Sequence, residues 1–235
     1  MCGRYTLTSP LEGVRQLFDF IEQPNLIPRA NIAPTHQVPV VRLGDDGKRH
    51  LDLLRWGLVP SWAKEASIGA RLINARGETV ASKPSFRRAF AERRCLVPAD
   101  GFYEWKTEGG AKQPYRITLA DGGPFAFAGL WERWRDPEAG DNLETFTIIT
   151  TEATPDLAAI HSRMPVILDP GDFAPWLDAA TAPEALQALL KPYEEAPMVA
   201  YRVSRAVNKV ANQDLTLIEP LVDNEPEAPA QGSLL

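Results

Sequence analysis

Between residues 95 and 151 the chain runs through five consecutive segments rich in β-branched and aromatic residues, at 95–97, 101–106, 115–119, 125–131 and 145–151. Each is parted from the next by a turn containing Gly or Asp, the pattern of strand following strand rather than strand alternating with helix. Upstream, segments 37–43 and 50–56 flank Gly44-Asp45-Asp46-Gly47, a hairpin signal. No βαβ alternation carries a Gly-rich phosphate loop, which excludes a dinucleotide-binding or P-loop architecture. Helices are short and peripheral. Ser9-Pro10-Leu11-Glu12 reads as a capping box with proline at the first helical position, and Leu11, Val14, Leu17 and Phe18 follow at helical spacing, so a helix is expected over 10–20. Others are expected at 85–93, with Phe86, Ala89 and Phe90 inward and the arginines outward, and at 155–160, 171–178 and 183–190. The fold class is therefore α+β: a single domain over 1–221 whose mainly antiparallel sheet curls into a barrel flanked by short helices.

The 235 residues are 44% hydrophobic, enough for a proper core. No apolar run approaches the ~20 residues that span a bilayer, and no basic-then-apolar signal opens the chain, so a cytoplasmic, monomeric protein without membrane contact is expected. Cys2 and Cys95 are not expected to form a disulfide in that compartment, and Cys95 reads as a buried strand residue. Three isolated histidines and no Cys-x-x-Cys argue against a structural metal, and no cofactor is expected. The net charge of −6 hides an uneven distribution. Arg71, Arg76, Lys83, Arg87, Arg88, Arg93 and Arg94 face only Glu78 and Glu92 in their stretch, which suits either a polyanion or a solvated face. Segment 222–235, with Asp223, Glu225 and Glu227, reads as an acidic, disordered tail.

The opening Met1-Cys2-Gly3-Arg4 places a small residue after the initiator methionine. Loss of Met1 leaves a 1,2-aminothiol whose amine has a pKa of about 7.7–8.0 and whose thiol titrates at about 8.5. Such a pair condenses with an aldehyde through the amine and closes through sulfur into a thiazolidine. In Ile73-Asn74-Ala75-Arg76, an extended segment would put Asn74 and Arg76 on one face, one to orient a reacting group and the other to hold a phosphate. In Gly101-Phe102-Tyr103-Glu104-Trp105, alternation sets Glu104 beside Phe102, where apolar neighbours would raise its pKa toward the range useful for proton transfer. His161 in Ile160-His161-Ser162-Arg163 is a second proton carrier. Trp56 and Trp62 around Gly57 suit either core or a platform on which unpaired bases stack. Each of these segments also admits a plain structural role.

Taken together, Met1-Cys2-Gly3-Arg4, Arg55-Trp56-Gly57-Leu58-Val59-Pro60, Ile73-Asn74-Ala75-Arg76-Gly77-Glu78-Thr79, Gly101-Phe102-Tyr103-Glu104-Trp105, His161-Ser162-Arg163-Met164-Pro165 and Val203-Ser204-Arg205-Ala206-Val207 closely resemble the SOS response-associated peptidase (SRAP) family, in the family's order and over about 1–221. The resemblance implies that the protein shields abasic sites in single-stranded DNA, with Cys2 condensing with the ring-opened sugar to a stable thiazolidine crosslink. It implies that Asn74 orients cysteine and sugar, that Glu104 gives and takes protons during ring opening and Schiff-base formation, and that His161 assists proton transfer and reversal. Arg4, Arg76 and Arg163 would hold phosphates, Trp62 would lie near the displaced bases, and Ser204 and Arg205 would join the DNA contacts. Between Thr79 and Phe86, where some relatives place an arginine, this chain offers Lys83 instead. The family's name also implies peptidase chemistry, of which self-removal of Met1 is one form.

Two other readings address the same residues. N-terminal-nucleophile amidotransferases also begin Met-Cys-Gly, but they share an Asn-Gly-Glu oxyanion segment that is missing here. A non-covalent single-strand-binding module would use the tryptophans and arginines alone.

Overall fold

Hydrogen bonding between distant segments, more than local propensity, organises the chain. The structure is a computed structural model that describes residues 2–222; the expected acidic tail, Val222 excepted, lies outside the described residues. In chain order the strands are β1 (Tyr5–Leu7), β2 (Arg29–Ile32), β3 (Gln37–Leu43), β4 (Arg49–Trp56), β5 (Asn74–Arg76), β6 (Arg94–Ala99), β7 (Gly101–Glu108), β8 (Ala111–Leu119), β9 (Phe125–Arg135), β10 (Asn142–Glu152), β11 (Arg163–Pro165), β12 (Ile167–Leu168) and β13 (Met198–Arg202). Helices α1 (Leu11–Phe18), α2 (Arg87–Glu92), α3 (Pro155–Ala158), α4 (Phe173–Leu177) and α5 (Pro183–Ala188) are all short. Strands β10, β4, β3, β6 and β9 pair in that order, and β9 pairs back to β10, so five strands close into a barrel. Among the described residues β10 takes both β4 and β5 in parallel, and the other strand pairs are antiparallel. A second sheet runs β13-β8-β7-β1-β2, wholly antiparallel. The α+β barrel expected from the sequence is the fold.

The two sheets meet through aromatic side chains. Tyr5 of β1 stands edge-on to Trp56 and Phe127, with centroids 5.2 and 5.7 Å apart, and Phe102 of β7 stands 6.0 Å from Phe127. All four rings are fully buried, and truncating one such ring to alanine typically costs about 3–5 kcal/mol. The opposite face of the second sheet buries Tyr103 against Ala30, Val203, Val207 and Leu217. At the end of β4, Gly57 has φ +119°, and a Cβ there would lie 2.7 Å from the Gly69 carbonyl oxygen. Only glycine allows that approach.

Several local expectations change in detail. Pro10 is the N-cap residue of α1, not its first helical position, and no side chain caps the helix. The Ser9 hydroxyl instead donates to Asp100 Oδ2 at 3.0 Å, a hydrogen bond to a buried charged acceptor. The basic stretch is partly internal. Arg94 is buried and donates to the carbonyls of Phe90, Ala91, Trp176 and Asp178, closing the C-terminal end of α2 and tying it to α4. Arg93 pairs with Glu132 at 3.0 Å. Cys95 is buried, as expected, and both cysteines are free thiols.

The β3–β4 hairpin carries an ionic clamp. His50 Nε2 lies 3.0 Å from Asp46 Oδ1, and its Nδ1 lies 2.7 Å from Glu22 Oε1. Hydrogen bonds to Asp46 and then Glu22 raise the pKa of His50; the His50 bond lowers Asp46, and backbone and His50 bonds hold Glu22 down against its burial. The histidine's contribution is therefore complete below its unfolded pKa of about 6.5 and is lost as pH rises through the raised folded value. The carboxylates' contribution is present above their unfolded values and fades as pH falls through the lowered folded ones. Thermal melts of His50→Gln are expected to show a smaller loss of stability from pH 6 to pH 8.5 than the parent; identical pH profiles would remove His50 from this role.

Candidate active site

Strand β1 is clasped between β2 and β7, with Tyr5 opposite Phe102, and the Tyr103 N–H donates to the Arg4 carbonyl at 3.0 Å. That register runs residues 2–4 alongside Tyr103 and Glu104. Cys2 is fully buried. Burial raises its thiol pKa well above the ordinary value, and the nearby Glu104 charge adds to the rise. The thiol is therefore neutral in the folded chain, and the group that responds to a reaction here is the carboxyl.

Glu104 lies on the face of β7 that looks toward the main core and is only 3% exposed. Burial raises its pKa, with His161 acting in the opposite direction. The carboxyl thus lies within electrostatic reach of both the Cys2 thiol and the His161 imidazole. His161 Nδ1 lies 3.0 Å from the Arg163 N–H and 3.2 Å from the Arg163 carbonyl oxygen, so this backbone offers a partner to either tautomer of the ring.

Asn74 closes the site from the barrel side. Its Nδ2 donates to the Cys2 carbonyl at 2.7 Å, while its Oδ1 is buried and accepts no hydrogen bond among the described residues. An orphaned buried acceptor is costly, about 1–3 kcal/mol, and marks a position where an outside donor belongs. The alignment of Asn74 follows from β5, which adds to β10 in parallel with Asn74 opposite Ile148. The Gly77 N–H then donates to the Thr150 carbonyl at 2.9 Å.

The four residues expected to do chemistry, Cys2, Asn74, Glu104 and His161, are thus brought together from the segment before β1, from β5 and β7, and from the turn before β11. The expected phosphate ligands have more varied surroundings. Arg76 is exposed at the end of β5. Arg163 forms a two-pronged ion pair with Glu78 at 2.8 and 3.0 Å and also donates to the Thr150 carbonyl at 2.7 Å, so it straps the Asn74 segment to β10. Arg4 donates to Asn31 Oδ1 and to the Val207 carbonyl, at 2.9 and 2.8 Å. Trp62 is 58% exposed and, with Ala81, Pro84, Arg87 and Arg88, lines a cleft of about 880 Å³. Lys83 is exposed one residue before Pro84 but does not line that cleft. The Ser204 hydroxyl caps the turn at Arg205–Asn208 by accepting from the Ala206 N–H at 3.2 Å, and Arg205 is half-buried in that turn.

Sequence patterns did not single out Thr150, which anchors both Gly77 and Arg163, because a threonine in a buried strand carries no signal of its own. Glu78 stood in the motif but looked like a stray acid in a basic stretch. Among the described residues no helix is long and apolar enough to cross a membrane, and no group of three or more His, Cys, Asp or Glu side chains could hold a metal ion.

Known proteins share both the sequence and the fold. The abasic site processing protein YoqW of Bacillus subtilis (strain 168) is 44% identical over 224 residues, covering 93% of this chain and 99% of that protein. The abasic site processing protein YedK of Escherichia coli (strain K12) is 34% identical over 229 residues, covering 94% and 100%. A crystal structure of a protein from Bacteroides thetaiotaomicron superposes with a TM-score of 0.86 at 28% identity, covering 94% of this chain and 100% of that one. The family model described as SOS response associated peptidase (SRAP) matches residues 1–210. This chain belongs to the SRAP family.

Proposed function

We propose that the protein processes abasic sites in DNA by capturing the open-chain sugar on Cys2 after Met1 is removed. The observation that carries this reading is the buried Cys2 beside a buried Glu104, with Asn74 holding the Cys2 carbonyl at 2.7 Å. The names of relatives such as YoqW and YedK support the substrate class.

In this scheme protonated Glu104 gives its proton to the ring oxygen as the deoxyribose opens to an aldehyde. The α-amine of Cys2 attacks the aldehyde carbon, and the carbinolamine loses one water to form C=N. The thiol then adds to that carbon, its proton passing by way of Glu104 to the nitrogen, which leaves a thiazolidine and one water released overall. A neutral, buried thiol favours this order, since the amine is the better nucleophile until the C=N carbon arrives next to sulfur. Asn74 Oδ1 is available to accept from the sugar, and the exposed Trp62 offers an unpaired base a face to stack on. Holding aldehyde and aminothiol together supplies the effective concentration that a minor open-chain form lacks.

Intact mass spectrometry before and after incubation with an abasic single-stranded oligonucleotide tests the scheme. The expected product has the mass of the protein without Met1 plus the oligonucleotide less one water, and it survives heating on a denaturing gel. Cys2→Ala and a form that retains Met1 are expected to give no such band. A heat-stable adduct formed by Cys2→Ala would overturn the assignment.

A further inference from the structure

Arg29 and His36 lie outside every motif discussed so far, yet their surroundings are unusual. Arg29 Nη2 donates to His36 Nδ1 at 2.8 Å, and its Nη1 donates to the Gln37 carbonyl at 3.1 Å at an exposed position. The Ala33 N–H also donates to His36 Nδ1, at 3.3 Å. Two obligatory donors on one ring nitrogen leave Nε2 as the N–H of this histidine. The partners of Arg29 and of Arg4 are therefore all neutral: carbonyls, an amide oxygen and an imidazole. Arg42, Arg93, Arg116, Arg133 and Arg163, by contrast, each face a carboxylate. In a chain with net charge −6, two guanidiniums held only by neutral acceptors leave a corner of uncompensated positive potential. His36 reports it: its pKa is lowered, first by burial and then by Arg29 and Arg4.

The loop that presents His36 is strained and firmly held. Thr35 has φ +73°, a left-handed conformation that is a genuine outlier for a β-branched residue. It is fixed by hydrogen bonds from the Thr35 N–H to the Trp56 carbonyl at 2.9 Å and from the Trp56 N–H to the His36 carbonyl at 3.0 Å. Strain retained by surrounding bonds is commonest at sites that grip a ligand. Antiparallel pairing of β2 with β1 sets Arg29 opposite Leu7, and its side chain reaches His36, which also feels the charge of Arg4 two residues after Cys2.

We propose that Arg29 and His36 form, with Arg4, a site for a backbone phosphodiester of the DNA strand that carries the abasic sugar. The guanidiniums supply charge and the His36 Nε2–H a directed donor, so the site sets the register of the strand on the protein without reading its bases. This rests on the reading that the protein binds abasic DNA.

The test uses fluorescence anisotropy of a single-stranded oligonucleotide bearing a tetrahydrofuran abasic analogue, which has no aldehyde and so reports binding without chemistry. Removing one phosphate contact to a single strand lowers the slope of log K against log salt by about 0.7, equivalent to about fivefold weaker binding at 0.1 M salt. Arg29→Gln is expected to show that change, Arg29→Lys to keep the parent slope, and His36→Gln to weaken binding with the slope unchanged. Arg135→Gln, which removes an exposed arginine at the end of β9, controls for net charge and is expected to bind as the parent does. Parent-like slopes and affinities for both Arg29→Gln and His36→Gln overturn the site, as does an equal effect of Arg135→Gln. Should Arg29→Gln prove unfolded in a thermal melt, Arg29→Lys and His36→Gln decide: a parent-like affinity for His36→Gln then overturns the site. Adduct formation is read separately, on aldehyde-bearing DNA. A parent protein that fails to crosslink while its binding depends on Arg29 overturns the Cys2 chemistry alone, and the converse overturns only the phosphate site.

Discussion

Glu104→Gln is expected to slow adduct formation by about a hundredfold or more while leaving affinity for abasic single-stranded DNA nearly unchanged. Glutamine keeps the size of the side chain and its capacity to hydrogen-bond, but it has no proton to give to the sugar ring oxygen and cannot take one from the thiol. Burial raises the Glu104 pKa, so the protonated acid persists above the ordinary carboxylate range, and the rate of sugar opening should fall as pH rises through that raised value. The variant should lose this limb of the pH–rate profile. Stability should move the other way. A carboxyl whose folded pKa is raised destabilises the fold at every pH above its unfolded value, because the fold disfavours the charge. Glu104→Gln is therefore expected to melt at the same temperature as the parent or higher at neutral pH, a result that a merely structural glutamate would not give. Single-turnover gels and thermal melts read the two quantities, and an unchanged rate would remove Glu104 from proton transfer.

Asp100→Ala is expected to destabilise the protein by about 3–5 kcal/mol, the range for stripping one partner from a buried ion pair. Asp100 is 2% exposed and sits between β6 and β7. Its Oδ1 accepts from the Thr6 hydroxyl and from Arg116 Nη2, and its Oδ2 from the backbone N–H and hydroxyl groups of both Thr8 and Ser9. Every partner is a donor. Asp100→Asn should also be damaging, since its NH₂ group would face either the Arg116 guanidinium or the backbone N–H groups of Thr8 and Ser9, and only the hydroxyls could turn to accept from it. The consequence reaches the active site, because these bonds fasten the end of β1 to the start of β7, and β1 directly follows the segment that carries Cys2. Urea unfolding midpoints check the prediction; a loss below about 1 kcal/mol would show that water replaces the carboxylate.

The distinction between Glu104 and Asp100 shows what the sequence makes legible. Glu104 could be picked out because strand alternation in residues 101–105 fixes which side chains share a face, and Phe102 beside it announces burial. Asp100 could not, since its Thr6, Thr8 and Ser9 partners lie more than ninety residues away in sequence and Ser9 resembles an ordinary helix cap. The same limit hid β1, β2 and β13, which are three to five residues long and exist as strands because of the neighbours they meet. The long strands β9 and β10 announced themselves locally, and the closure of the barrel followed from their order. Charge was the least legible property. Arg93, Arg94 and Arg163 look like surface cations in the sequence, yet carbonyls and carboxylates hold them inside, whereas Arg29, in no basic cluster, keeps its charge uncompensated.

The embrace of β1 by β2 and β7 also imposes an order on the protein's early life. Its partner β7 begins at Gly101, so roughly a hundred residues have to be synthesised before the segment that carries Cys2 can take its place beside Glu104. An aminopeptidase that works in the interval between emergence of the terminus and arrival of β7 meets a chain whose site is not yet assembled. Under the proposed chemistry, molecules that keep Met1 are native in shape and chemically silent, so the extent of trimming sets the active fraction.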